Sequence, residues 1–149
     1  MPRVFLDANV YFAGCVSPTG ASALILQLAR KGRLQIVASR LVLREADRNL
    51  RKKGRHGSLK AFQAFLRAVP VQVIPSPGER QLARYEAAVH PKDVPVLAAA
   101  VASRADYFIT LDRKHLLTPT ARKSASSLPI LTPGEFIQRL LRLPHPGAQ

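Results

Sequence analysis

Short apolar runs alternate with segments of helical period along the whole chain, and this alternation limits the fold more than any other feature. Val4-Phe5-Leu6 is the first run, brief and rich in β-forming residues, as a strand buried on both faces would be. Comparable runs recur at Leu34–Ala38, Val71–Ile74, Tyr107–Leu111 and Leu128–Leu131. Helical segments lie between them. Ala21–Lys31 stops at Gly32; Arg40–Lys53 opens on Ser39 as N-cap and stops at Gly54, with Val42, Leu43, Ala46 and Leu50 inward. Leu59–Val69 carries Phe62, Phe65, Leu66 and Val69 on one side, Arg80–Val89 reads as helical, and Asp93 opens an Ala-rich helix through Ser103. Thr132-Pro133-Gly134-Glu135 is a capping box with proline at the first helical position, and the helix it starts runs to Leu143. Strands alternating with helices predict a mainly parallel sheet covered by helices. A single domain over residues 1–143 is expected, with a loose tail over 144–149.

The balance of charge narrows the partners. The chain has 23 Lys and Arg against 9 Asp and Glu, a formal charge of +14, which predicts attraction to polyanions, nucleic acid first and an acidic protein second. Its single cysteine, Cys15, can form no internal disulfide, which fits a reducing cytoplasm. Met1-Pro2-Arg3 leads straight into the first strand, so no secretory signal is expected, and no apolar run approaches the length of a bilayer span. A soluble cytoplasmic protein without membrane contact is therefore expected.

With acids so scarce, their positions carry information. Asp7 and Asp112 each stand at the carboxyl end of a strand, and Asp93 begins a helix. Glu45 lies on the row Leu41-Glu45-Asn49, beside the buried face of its helix. In an open α/β sheet, ligands bind outside the carboxyl ends of the strands. Acids converging there repel one another, by roughly 4 kcal/mol for a pair about 4 Å apart at an effective dielectric near 20. Hard oxygen donors of this kind suit magnesium or manganese. Each also has a plainer reading: Asp7 and Asp93 as N-caps, Glu45 paired with Arg44 or Arg48, Asp112 capping a turn. Asp106 precedes its strand and belongs to the opposite end. The four histidines have no metal-ligand spacing; His115 alone falls near the proposed site, and its role stays open. Arg40, Arg44 and Arg48 recur every four residues and form a basic stripe on one helix.

The segments Val4-Phe5-Leu6-Asp7-Ala8-Asn9-Val10, Ser39 to Glu45, Pro91-Lys92-Asp93, Ala105 to Asp112 and Leu128 to Phe136, in this order and spacing, resemble the PIN-domain family, most closely its VapC-type toxin–antitoxin branch. The resemblance implies a three-layer α/β/α sandwich around a parallel sheet, and a magnesium- or manganese-dependent ribonuclease. It implies Asp7, Glu45, Asp93 and Asp112 as catalytic acids, with Asp7, Asp93 and Asp112 on the metal and Asn9 and Thr110 in support. It further implies a cognate antitoxin and leaves room for a homodimer. Two departures stand out: Ala8, where many members have Thr or Ser, and Val94-Pro95-Val96, where many carry further acids. The thinner acidic cluster predicts that a second metal would be held weakly.

The residues themselves agree with this chemistry. A cation on Asp7 and its partners would activate water against a phosphodiester, and the excess of Lys and Arg would hold RNA through its phosphates. Two rivals stand beside this reading: a PIN module that binds RNA or protein and cuts nothing, and a DNA-directed nuclease.

Overall fold

The computed structural model describes residues 1–142. The tail expected at 144–149 lies outside the described residues. Thirteen elements follow in order: β1 (Arg3–Leu6), α1 (Ala8–Val16), α2 (Ala21–Arg30), β2 (Gln35–Ser39), α3 (Arg40–Lys53), α4 (Ser58–Ala68), β3 (Gln72–Ile74), α5 (Glu79–Ala83), α6 (Val94–Ala102), β4 (Tyr107–Ile109), α7 (Pro119–Ser124), β5 (Ile130–Leu131) and α8 (Pro133–Arg142). The five strands form one sheet in the order β3-β2-β1-β4-β5, and every pair is parallel. The chain builds outward from β1 through β2 to β3, then crosses back to place β4 on the other side of β1. The winding therefore reverses between β1 and β4, which makes a crevice at their carboxyl ends.

Right-handed crossovers assign the helices to the two faces. The helices α1 to α4 come from connections in one direction and pack on one another around α1, with α8 against α2. The return connection carries α6 to the opposite face, where it packs on β2. The result is a three-layer α/β/α sandwich. The central strands are buried on both sides: Val4, Phe5, Leu6, Ile36, Val37, Phe108 and Ile109 have no solvent exposure. Phe5 and Phe108 meet edge to face across β1 and β4, their centroids 5.6 Å apart. Under the other layer, Tyr11 packs edgewise on Phe62 and Phe65. The short side chains of Ala98, Ala99 and Ala100 on α6 are wholly buried, which lets that helix sit close to the sheet.

Local chemistry accounts for most boundaries. The Ser39 hydroxyl accepts from the Val42 amide at the start of α3, and Gly54 ends that helix. At α8 the capping box is complete: the Thr132 amide donates to Glu135 Oε1 at 2.9 Å, and the Glu135 amide donates to Thr132 Oγ1 at 3.1 Å.

The structure departs most from the sequence reading at α5, β4, β5 and α7. The helix expected over 80–89 ends at Ala83, where the chain tightens into bonds from Tyr85 to Leu82 and from Ala88 to Tyr85 that deliver Tyr85 into the core. β4 ends at Ile109 because the Leu111 amide turns to the Asn9 side chain instead of a neighbouring strand. β5 is two residues long, preceded by Pro129, which has no amide to give a ladder. The sequence reading also missed α7, although Thr118-Pro119 repeats the threonine-proline start of α8 and Thr118 Oγ1 accepts from the Ala121 amide at 3.1 Å. Among the described residues no single helix is long and apolar enough to cross a membrane.

Helices α1 and α2 meet at Gly14, where a Cβ would lie 2.6 Å from Leu26 Cδ1 and 3.0 Å from the Ser22 carbonyl oxygen. Gly14→Ala is expected to destabilise the fold by roughly 1–3 kcal/mol despite the better helix propensity of alanine. Urea melts would check this; a more stable variant would show that the two helices can part without cost.

Candidate active site

Asp7 follows β1 directly and caps α1, its Oδ1 accepting the Ala8 amide at 2.8 Å. Its Oδ2 accepts the Thr110 hydroxyl at 2.7 Å and the Asn9 amide nitrogen at 3.3 Å. Thr110 Oγ1 in turn accepts the Asp112 amide at 3.1 Å, and Asn9 Oδ1 accepts the Leu111 amide at 3.1 Å. The Asp7 amide donates to the Ile109 carbonyl at 2.9 Å. Asn9 and Thr110 thus bind the carboxyl ends of β1 and β4 together and hold the Asp7 carboxylate in one orientation. The N-cap reading of Asp7 holds through Oδ1, while Oδ2 is turned to Thr110 and Asn9 at the carboxyl ends of β1 and β4.

The other acids arrive from three further segments. Glu45 projects from the second turn of α3, half-buried, and among the described residues it makes no ion pair; Asp47 is the acid of that helix that does, with Arg51 Nε at 2.6 Å. Asp93 precedes α6 but makes no side-chain cap bond to it. Its Oδ2 is buried and has no hydrogen-bond partner. Asp112 Oδ1 accepts the His115 amide at 2.9 Å, which folds the loop after β4 into a tight turn.

The electrostatics tie these segments into one field. Burial pushes the Asp7 carboxyl up from an ordinary 3.8 to about 6; the Thr110 hydroxyl and the Ala8 amide pull it down, and the charges of Glu45 and Asp93 push it higher. Burial also raises Asp93, with Asp112 adding to the rise and His115, Lys92 and His90 opposing it. Asp7, Glu45, Asp93 and Asp112 therefore act on one another in a chain of neighbours at the reversal of the sheet. Asp106 stands at the opposite, amino-terminal end of β4, its carboxylate accepting the Arg3 amide at 2.8 Å.

The structure also brings in a residue whose role sequence left open. His115 Nδ1 lies 3.4 Å from Asp112 Oδ2 and 3.6 Å from Asp93 Oδ2. One donor atom each from Asp93, Asp112 and His115 falls within 4.8 Å of the others, a spacing open to a metal ion. The orphaned Asp93 oxygen and the oxygen-rich donor set fit a divalent cation. Cys15, half-buried with its thiol pushed up by burial to about 11, has no nucleophile's environment. Arg40, Arg44 and Arg48 are exposed on the helix that carries Glu45; Arg44 and Arg48 border a shallow groove with Phe62 and Leu66, and Arg40 lies against the end of β3.

Comparison with known proteins gives two findings. The family model for the PIN domain matches residues 3–114. Among solved structures, VapBC2 from Rickettsia felis, bound to a DNA fragment from its promoter, aligns with a TM-score of 0.59 over 87% of this chain and 98% of that one, at 16% sequence identity. At that identity the likeness is one of fold. No curated protein matches the sequence.

The folded chain holds a proton on Asp7 more tightly than an unfolded chain does, so this group's contribution to stability is greatest below pH 3.8 and is lost as pH rises through about 6. At neutral pH the ionised carboxylate then costs roughly 3 kcal/mol. In EDTA at pH 7.5, Asp7→Asn is expected to be more stable than wild type by up to that amount, and the gap should close towards pH 4. Asp106→Asn should instead be less stable by roughly 1 kcal/mol at both pH values, through its weakened bond to the Arg3 amide. Paired denaturant melts would read both; a destabilised Asp7→Asn at pH 7.5 would mean that the carboxylate is well satisfied without a cation.

Proposed function

The chain belongs to the PIN-domain family, and from that premise we propose that it is a divalent-metal-dependent endoribonuclease, the toxin of a type II toxin–antitoxin pair. One observation carries the reading most directly: four carboxylates from distant segments meet at the reversal of the sheet, where burial already holds Asp7 at about 6 and leaves Asp93 Oδ2 without a partner. A folded protein supports that arrangement when a cation completes it. Asp7, Asp93 and Asp112 are proposed as the metal's carboxylate ligands, with Glu45 as the fourth catalytic acid and magnesium or manganese as the ion. When bound, the cation would supply polarisation of a water and of the phosphodiester it attacks.

The chain's own residues supply orientation and substrate. Thr110 and Asn9 fix the Asp7 carboxylate. Burial of Asp7 keeps water from screening its carboxylate. Arg40, Arg44 and Arg48 are proposed to hold RNA phosphates, so that affinity comes from charge and positioning from the α3 surface. A cognate antitoxin is proposed as partner, supported by the fold shared with VapBC2, and a homodimer is compatible with the same reading. The site of action proposed is the cytoplasm.

A nuclease assay on single-stranded RNA and DNA, with and without EDTA, tests the proposal. Cleavage of RNA that needs magnesium or manganese is expected, with Asp7→Asn inactive and still folded. Binding without cleavage, unaffected by EDTA, would favour a non-catalytic module; cleavage of DNA alone would favour a DNA-directed nuclease. Magnesium should also stabilise wild type: an ion binding at about 1 mM and supplied at about 10 mM contributes roughly 1.4 kcal/mol, a rise of roughly 3–6 °C. Asp7→Asn should show little of this rise, and Asp106→Asn should keep it.

The basic stripe gives a separate expectation. Arg44→Glu with Arg48→Glu should weaken RNA binding and flatten its salt dependence by roughly one unit of log–log slope per lost phosphate contact. An unchanged slope would move the RNA path off α3.

A further inference from the structure

The Asp93–Asp112–His115 cluster has a donor composition that the acid quartet alone would not have. His115 Nδ1 stands 3.4 Å from Asp112 Oδ2 and 3.6 Å from Asp93 Oδ2, longer than made hydrogen bonds. Atoms that share one ion at about 2.1 Å stand roughly 3 Å or more from one another, so the spacing suits donors around a common centre. The free oxygens face that centre. Asp112 uses Oδ1 on the His115 amide, which leaves Oδ2 towards the imidazole, and Asp93 Oδ2 is buried without a partner.

The imidazole is also held in place. Its ring packs on His90 with centroids 5.2 Å apart and a tilt of 44°, and His90 Nδ1 accepts the Lys92 amide at 3.2 Å. Leu116, the next residue, is wholly buried and anchors the loop from the other side. A nitrogen donor fixed beside two carboxylates adds little for magnesium, which prefers oxygen, and favours first-row transition ions.

Building on the metal-dependent reading above, we propose that His115 is a nitrogen ligand of the cation held by Asp93 and Asp112, and that it shifts the site's preference from magnesium towards first-row transition ions such as manganese. His90 is then a positioning residue, its ring keeping that of His115 turned to the carboxylates.

Metal-stripped full-length protein, titrated separately with manganese and magnesium at fixed pH, tests this without reference to cleavage. Wild type is expected to bind manganese at least about tenfold more tightly than magnesium. His115→Ala should lose most of that advantage while its magnesium affinity changes little. His115→Asp, which restores an oxygen donor, should bind both ions with a ratio near one. In the manganese complex, electron spin echo modulation should report a directly bound imidazole nitrogen in wild type and none in His115→Ala. If wild type binds both ions but shows no nitrogen signal, or if His115→Ala keeps the wild-type ratio, His115 is only a counter-ion that leaves when the metal enters, and the proposal falls alone. If wild type binds neither ion, the metal-dependent reading falls and takes this proposal with it.

Discussion

The buried hydrogen bond from the Thr110 hydroxyl to Asp7 Oδ2, 2.7 Å long, is the constraint on which the rest of the site depends. It joins the ends of the two parallel strands between which the winding of the chain reverses. Remove it and two things loosen at once: the carboxylate loses its strongest fixed donor, and the loop that carries Asp112 loses the hydroxyl that accepts the Asp112 amide. Asn9 makes a parallel tie, reaching Asp7 with its nitrogen and Leu111 with its oxygen. A buried carboxylate in a low-dielectric site is tolerated because these donors surround it, yet burial still dominates and leaves the group poised to accept positive charge. Structure and chemistry therefore meet in one place, since the bonds that pin β1 to β4 also aim the acid.

The protein's overall charge works against its own site. A chain of formal charge +14 draws polyanions to its surface, and the acidic cluster is a small island of opposite sign within that field. Asp47 is neutralised by Arg51, and Asp106 serves the backbone of Arg3, so neither extends the island. Glu45, next in sequence to Arg44, has no ion pair among the described residues, and its charge instead raises Asp7. The acids of the cluster thus act on one another, and among the described residues none of the four pairs with an arginine. That arrangement is difficult to account for as surface chemistry alone.

Much of this was legible in the sequence wherever local physics decides. β1 announced itself as an apolar run, α3 by its cap at Ser39 and stop at Gly54, and α8 by a complete capping box. Strand ends were less legible because their partners are distant: nothing near Leu111 indicates that its amide will be taken by Asn9. The early end of α5 is set by the core's hold on Tyr85, and α7 lacks the apolar period that would have drawn notice to Thr118-Pro119. Among the candidate site residues, scarcity and position at strand ends drew attention to the acids. For His115 the sequence shows only its closeness to Asp112, three residues before it; its meeting with Asp93 is made by two loops that sequence spacing does not relate.

The separation of Asp7 from Thr110, 103 residues along the chain, has a consequence for synthesis. β1 is made first, but its neighbour β4 is made last but one, and no local contact can substitute for that pairing. A fold with its central strand bridged by such long-range contacts has a high contact order and closes late. During translation the amino-terminal half can bury apolar surface against β2 and its helices, while Asp7 and Glu45 wait without Asp93 and Asp112. The rim that gathers the four acids is therefore incomplete in any nascent chain that stops short of Asp112, and the repulsion among them arises only once β4 has closed on β1.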